Sequence, residues 1–133
     1  MTTKIFTKEN FAEMDSMHDS VATHITIENR TLVITYDNLD QNAIYISKKL
    51  TIEYEIDSYC DVRFFKNNKY KFIDLLEEKD KFCKLTKNCT FMSYKYAVDC
   101  FREITLEFTI QGKNKYWCLE ISMDPTKITY HWE

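Results

Sequence analysis

One glycine, Gly112, and one proline, Pro125, stand in the whole chain. Phosphate-cradling loops and the elbow that presents a nucleophilic serine need several glycines, because the backbone there must approach a ligand closely or adopt positive φ. Walker-type, dinucleotide-binding, kinase and α/β-hydrolase readings are therefore excluded. The turns must be built by Asn and Asp, which tolerate the left-handed region and bond to their own backbone. No C-x-x-C pair occurs among the five cysteines, Cys60, Cys83, Cys89, Cys100 and Cys118. Neither a disulfide framework nor a zinc knuckle is suggested, so reduced and mostly buried thiols are expected, without metal or cofactor. An apolar run of the roughly 20 residues that cross a bilayer is missing, and so is a secretory block in Met1 to Glu9. The expected compartment is the cytoplasm, with no membrane partner. In that setting Asn29-Arg30-Thr31 and Asn88-Cys89-Thr90 read as turn chemistry and not as glycosylation sites. A net charge of −3 offers no whole-molecule attraction to nucleic acid.

What is present is hydrophobic patterning. A chain of 133 residues, 44% hydrophobic and 29% charged, fits one folded domain over residues 1–133. Thr7 to Ser16 holds Phe11 and Met14 at helical spacing, with Thr7 as a cap. A period of two then sets in, with Val21, Thr23, Ile25 and Ile27 on one side of a strand. Glu28 to Thr31 turns it into a second strand with Leu32, Ile34 and Tyr36 inward, which makes a hairpin. Leu50, Ile52, Tyr54 and Ile56 oppose Thr51, Glu53, Glu55 and Asp57 in the clearest alternation, and Val62, Phe64 and Phe65 suggest a further strand ending at Lys66 to Lys69.

Helical spacing follows from Lys69 to Lys84, with Phe72, Leu75, Leu76, Phe82 and Cys83 on one side and Glu77–Lys81 and Asp80–Lys84 pairs elsewhere. The last third returns to strands at Phe91 to Val98, at Ile104 to Gln111, at Trp117 to Met123 and, after a turn at Asp124 to Lys127, at Ile128 to Trp132. These elements predict an α+β fold, a curved antiparallel sheet of about six to eight strands covered by one main helix.

Three clusters are candidates for chemistry. His18, Asp19 and His24 offer imidazole and carboxylate to a metal, although their spacing matches no established motif; the plainer reading is that Asp19 or Ser20 bonds to backbone and His24 sits on an exposed strand face. Glu53 and Glu55 share a strand face, yet lack a desolvating neighbour that would make them an acid–base pair. Arg63 to Phe72 interleaves basic and aromatic residues as single-stranded nucleic-acid sites do, but the core claims Phe64 and Phe72 and the net charge is acidic.

His18-Asp19-Ser20 leading into the hairpin Val21 to Asp37, and the closing strand Ile128-Thr129-Tyr130-His131-Trp132, resemble small bacterial immunity-type and uncharacterised domains. The resemblance implies a non-enzymatic protein that neutralises a cognate toxin. On the residues themselves, Glu53, Glu55, Asp57 and Asp61 form an acidic stripe suited to a basic protein partner. Two further function classes stand beside that one: a small-ligand binder with an aromatic-lined cavity, and a metal-dependent enzyme using His18, Asp19 and His24.

Overall fold

The computed structural model describes residues 2–14, 17, 19–38, 49–99 and 103–133. His18, Ser16, Cys100 and the segment Ala43 to Ile46 lie outside them. Eight strands, β1 (Thr2–Thr7), β2 (Val21–Glu28), β3 (Thr31–Asn38), β4 (Leu50–Lys66), β5 (Lys69–Asp74), β6 (Thr90–Val98), β7 (Ile104–Gln111) and β8 (Cys118–Trp132), form one antiparallel sheet. The helix α1 (Lys79–Leu85) lies between β5 and β6.

The sheet order runs β1-β8-β7-β6-β2-β3-β4-β5, and a further pairing of β4 with β8 closes it into a ring. Each of these two long strands has two halves. Leu50 to Glu55 pair with β3 and with the second half of β8, whose other side takes β1. Cys60 to Phe65 pair with the first half of β8, whose other side takes β7, while β5 flanks Asp61 to Lys66. Two five-stranded layers result, continuous through β4 and β8, and a two-residue contact of Val21 and Ala22 with Met92 and Phe91 joins them again.

Alternation decides what fills the space between the layers. Leu32, Ile34, Leu50, Ile52, Tyr54, Val62, Phe64, Phe108, Ile121 and Tyr130 are buried in one cluster. The interior tyrosines pack as rings and find partners for their tips: Tyr96 Oη donates to the Phe11 carbonyl at 2.6 Å, and the Tyr36 hydroxyl bonds to Ser93.

Turn chemistry follows the shortage of glycine. Positive φ falls on Asn29 (46°), Asn67 (53°), Asn88 (61°) and Asp19 (64°), with Met17 and Arg30 as well. Gly112, at φ 116°, takes the place where a Cβ would come within 3.2 Å of the Asn88 carbonyl oxygen.

Five local expectations change. The helix does not begin at Lys69: Asn67 turns the chain straight back along β4, Ile73 pairs with Val62, and only Lys79–Leu85 is helical. Accordingly Phe72 and Cys83 are exposed while Leu75 and Phe82 are buried. Lys81 pairs with Glu78, at 2.5 Å, and Lys79 with Glu28, at 3.8 Å. Near the start, Thr7 ends a strand and its amide donates to Asn10 Oδ1 at 2.7 Å, leaving a single 3-10 turn, Phe11–Glu13, that buries Phe11.

In β2 a register shift between Val21 and His24 puts Ala22, not Val21 and Thr23, inward with Ile25 and Ile27. β4 is one strand of 17 residues instead of two. Likewise, Asp124 to Lys127 is not a turn, because β8 runs through Pro125 with a register shift.

Phe64 joins both long strands to the helix, with its ring centroid 5.8 Å from that of Phe82 and 5.6 Å from that of Tyr116. Phe64→Ala is expected to cost about 3–5 kcal/mol in urea unfolding at unchanged slope. A loss under about 1 kcal/mol would show that α1 is held without it.

Candidate functional site

Of the residues singled out in the sequence, Asp19 and His24 are described and His18 is not. The Asp19 amide donates to the Ser93 carbonyl at 2.7 Å, and Ser93 N in turn donates to the Ser20 carbonyl, so this segment is tied into the sheet by its backbone. His24 is exposed on β2, with Nδ1 3.1 Å from Thr23 Oγ1. Among the described residues no three His, Cys, Asp or Glu side chains are grouped as a metal would require. Cys60, Cys89 and Cys118 are buried and Cys83 is exposed, each as a free thiol. Burial and the charges of Asp61, Asp74 and Asp124 push the Cys60 thiol up to about 12.

The acidic stripe is divided by the fold. Glu53 and Glu55 face outward on the first half of β4, where β8 supplies a basic side chain to each: His131 Nε2 at 3.0 Å and Lys127 Nζ at 3.3 Å. Asp57 lies in the irregular stretch between the two halves, its carbonyl accepting from Arg30. Asp61 belongs to the second half, opposite Asp74, and burial followed by the Asp74 charge raises its carboxyl above the usual range.

A different face collects the side chains that burial does not explain. Among the described residues five large hydrophobic side chains are exposed: Ile5, Tyr70 (62%), Phe72 (45%), Tyr94 (38%) and Trp117 (56%). All but Ile5 lie on the outer side of the layer that contains β5, the second half of β4, the first half of β8, β7 and β6. Register explains the grouping. Val62, Phe64, Ile73, Leu119, Ile121, Leu106 and Phe108 point inward, so their neighbours must point outward.

One outward row runs Phe72, Arg63, Glu120, Glu107 across β5, β4, β8 and β7, and the next runs Tyr70, Phe65, Cys118, Thr109. Phe65, Tyr94, Glu107, Trp117, Cys118 and Glu120 line a cleft of about 220 Å³.

Electrostatics within the face are local and paired. Arg63 lies over the Phe72 ring, 5.8 Å from its centroid, and 3.6 Å from Glu120. Glu120 is nonetheless raised above the ordinary glutamate value, since burial, the charge of Glu107 and a hydrogen bond to Glu107 outweigh the guanidinium. Burial, then the same Glu107 carboxylate, pushes Tyr94 up to about 12. The face thus combines exposed rings, a guanidinium held between a ring and a carboxylate, and a pair of neighbouring carboxylates.

The sequence made Arg63, Phe65, Tyr70 and Phe72 visible as a basic and aromatic tract. Tyr94, Glu107, Trp117 and Glu120 were missed, because only strand register brings them to it. Set against family models, curated proteins and solved structures, the chain matches none of them.

Because folded Glu120 keeps its proton to higher pH than the unfolded chain does, its contribution to stability is present below the usual glutamate value and is lost as pH rises through the raised one. Glu120→Gln is therefore expected to unfold at higher urea than the parent at neutral pH, with a shallower decline in stability as pH rises above the usual glutamate value. Asp61, raised in the same direction, keeps that decline from vanishing. An equally steep decline in the variant would remove the Glu107–Glu120 contact as its source.

Proposed function

We propose that the chain is a non-enzymatic protein-binding module whose contact surface is the outer face carrying Phe65, Tyr70, Phe72, Tyr94 and Trp117. The observation that carries this reading is the concentration of exposed rings on one layer, while the outward positions of the other are mainly Thr, Glu, Lys and His. Exposed aromatic rings cost solubility, and a surface that gathers Tyr, Trp and Arg around a shallow cleft has the composition of binding hot spots. A cognate toxin is the partner class implied by the resemblance of Val21 to Asp37 and Ile128 to Trp132 to immunity-type domains. In this reading Glu53 and Glu55, already paired with His131 and Lys127, contribute less to a contact than the ring-bearing face does.

The test places a photo-crosslinking amino acid at Trp117 and, as a control, at the exposed Thr26 of β2, in cells that make the protein. A protein captured from position 117 and not from position 26 is then purified, and its affinity measured against the parent, Trp117→Ala and Tyr94→Ala. Trp117→Ala is expected to weaken binding by about 2 kcal/mol or more, roughly 30-fold. Equal affinity for all three proteins would move the contact elsewhere.

A further inference from the structure

Among the described residues β5 has one strand neighbour, β4, and its other side is an edge of the sheet. Two hydrogen bonds fix which of its backbone groups face that edge. Leu75 N donates to the Cys60 carbonyl at 2.9 Å, so Cys60 points toward the β5 side of β4. Trp117 N donates to the Phe65 carbonyl at 3.1 Å, so Phe65 points toward β8. Antiparallel partners alternate together between bonded and non-bonded pairs. Lys69, Lys71 and Ile73, opposite Lys66, Phe64 and Val62, therefore exchange bonds with β4. Tyr70 and Phe72, opposite Phe65 and Arg63, aim their amides and carbonyls away from it. Asp74, next in that series, has its carbonyl taken by the amides of Glu77 and Glu78, so the open stretch ends there.

We infer that this edge is a strand-docking site for an extended segment of a partner protein that alternates apolar and acidic residues. Such a segment would complete the bonds of Tyr70 and Phe72, set its apolar side chains beside those two rings, and set its acidic ones beside Lys69 and Lys71. At the hairpin tip, Lys66, Lys69, Lys115, Tyr70 and Tyr116 line a cleft of about 520 Å³ that extends the positive charge past the strand end.

Charge also decides against a second copy as occupant. The register that uses all four free groups pairs Tyr70 with Phe72 of the other chain and sets Lys71 against Lys71, a destabilising arrangement. The inference rests on the proposed protein-binding role and specifies the shape and charge of the partner segment.

The probe is a synthetic nine-residue peptide alternating Glu with Val and Thr, titrated into the intact protein at low salt with amide exchange followed by NMR. Saturable binding is expected, with slowed exchange at Tyr70 and Phe72 and no change at Thr3 or Lys4 on the opposite edge. The same peptide with N-methyl groups on the residues that face β5 keeps its side chains but cannot donate, and is expected to bind at least roughly tenfold more weakly.

Phe72→Pro removes an outward amide without taking a bond from β4, so it is expected to remain folded and to lose the peptide. Binding that ignores N-methylation, or protection that appears elsewhere, overturns strand addition. So does a dimer through β5 in sedimentation equilibrium without peptide, or tighter binding of a single-stranded oligonucleotide at the same edge. If the edge fails while Trp117→Ala still weakens the crosslinked partner, the aromatic face stands without it; if both fail, the protein-binding reading falls as well.

Discussion

Everything in this fold hangs on β4 lying against β8. These are the two longest strands, and each supplies a different half to a different layer, so their mutual register sets the position of β1, β3, β5 and β7. Both strands break register near their middles, between Glu55 and Cys60 on one and between Lys127 and Met123 on the other. A break of this kind leaves amides without ladder partners. Asp124 meets that need: its Oδ1 accepts from Ser58 N at 2.9 Å and from Tyr59 N at 3.0 Å, and its Oδ2 accepts from the Ser58 hydroxyl. Burial alone would raise the Asp124 carboxyl, but these donors hold it below the usual range. A single charged side chain thus takes up two of the amides at the point where the strands pass from one layer into the next.

Legibility tracked periodicity closely. Where one face of a strand is dry and its register is unbroken, the alternation is in the sequence. Leu50 to Asp57, Leu32 to Asp37 and Ile104 to Ile110 therefore read correctly as to element and facing. What periodicity does not carry is continuity. Asp124-Pro125 has turn composition, and the inward set changes from odd to even numbers across it, from Leu119, Ile121 and Met123 to Ile128, Tyr130 and Trp132. That change has two causes that look identical in sequence, a reversal or a bulge, and only the pairing with β4 separates them. The helix was overextended for a related reason. Leu75 and Phe82 are buried as helical spacing asks, but Phe72, which seemed to continue the stripe, faces water from an edge strand.

The candidate face shows the same division. Its β4 and β5 members are close in sequence, and the mixture of rings and cations there is plain to see. Tyr94, Glu107, Trp117 and Glu120 arrive from three other segments, placed by registers such as Glu107 with Glu120 that no local pattern encodes. Trp117 resembled a core residue because it precedes Leu119 by two. It stands just before β8 begins and is exposed, so the strand period does not extend to it.

The order of the strands along the chain also bears on how the molecule is made. β8 is the latest strand to leave the ribosome, yet it occupies the centre of the sheet and receives β1, whose residues lie at the other end of the sequence. Until β8 emerges, β4 and β7 each have an unpaired side and Ile52, Val62 and Phe64 have no second wall. Pairings so distant in sequence close slowly, on a scale of about milliseconds to seconds for sheet-rich domains. Before that closure the partial sheet carries unpaired strand edges and uncovered apolar side chains, the features that make incomplete chains prone to aggregate.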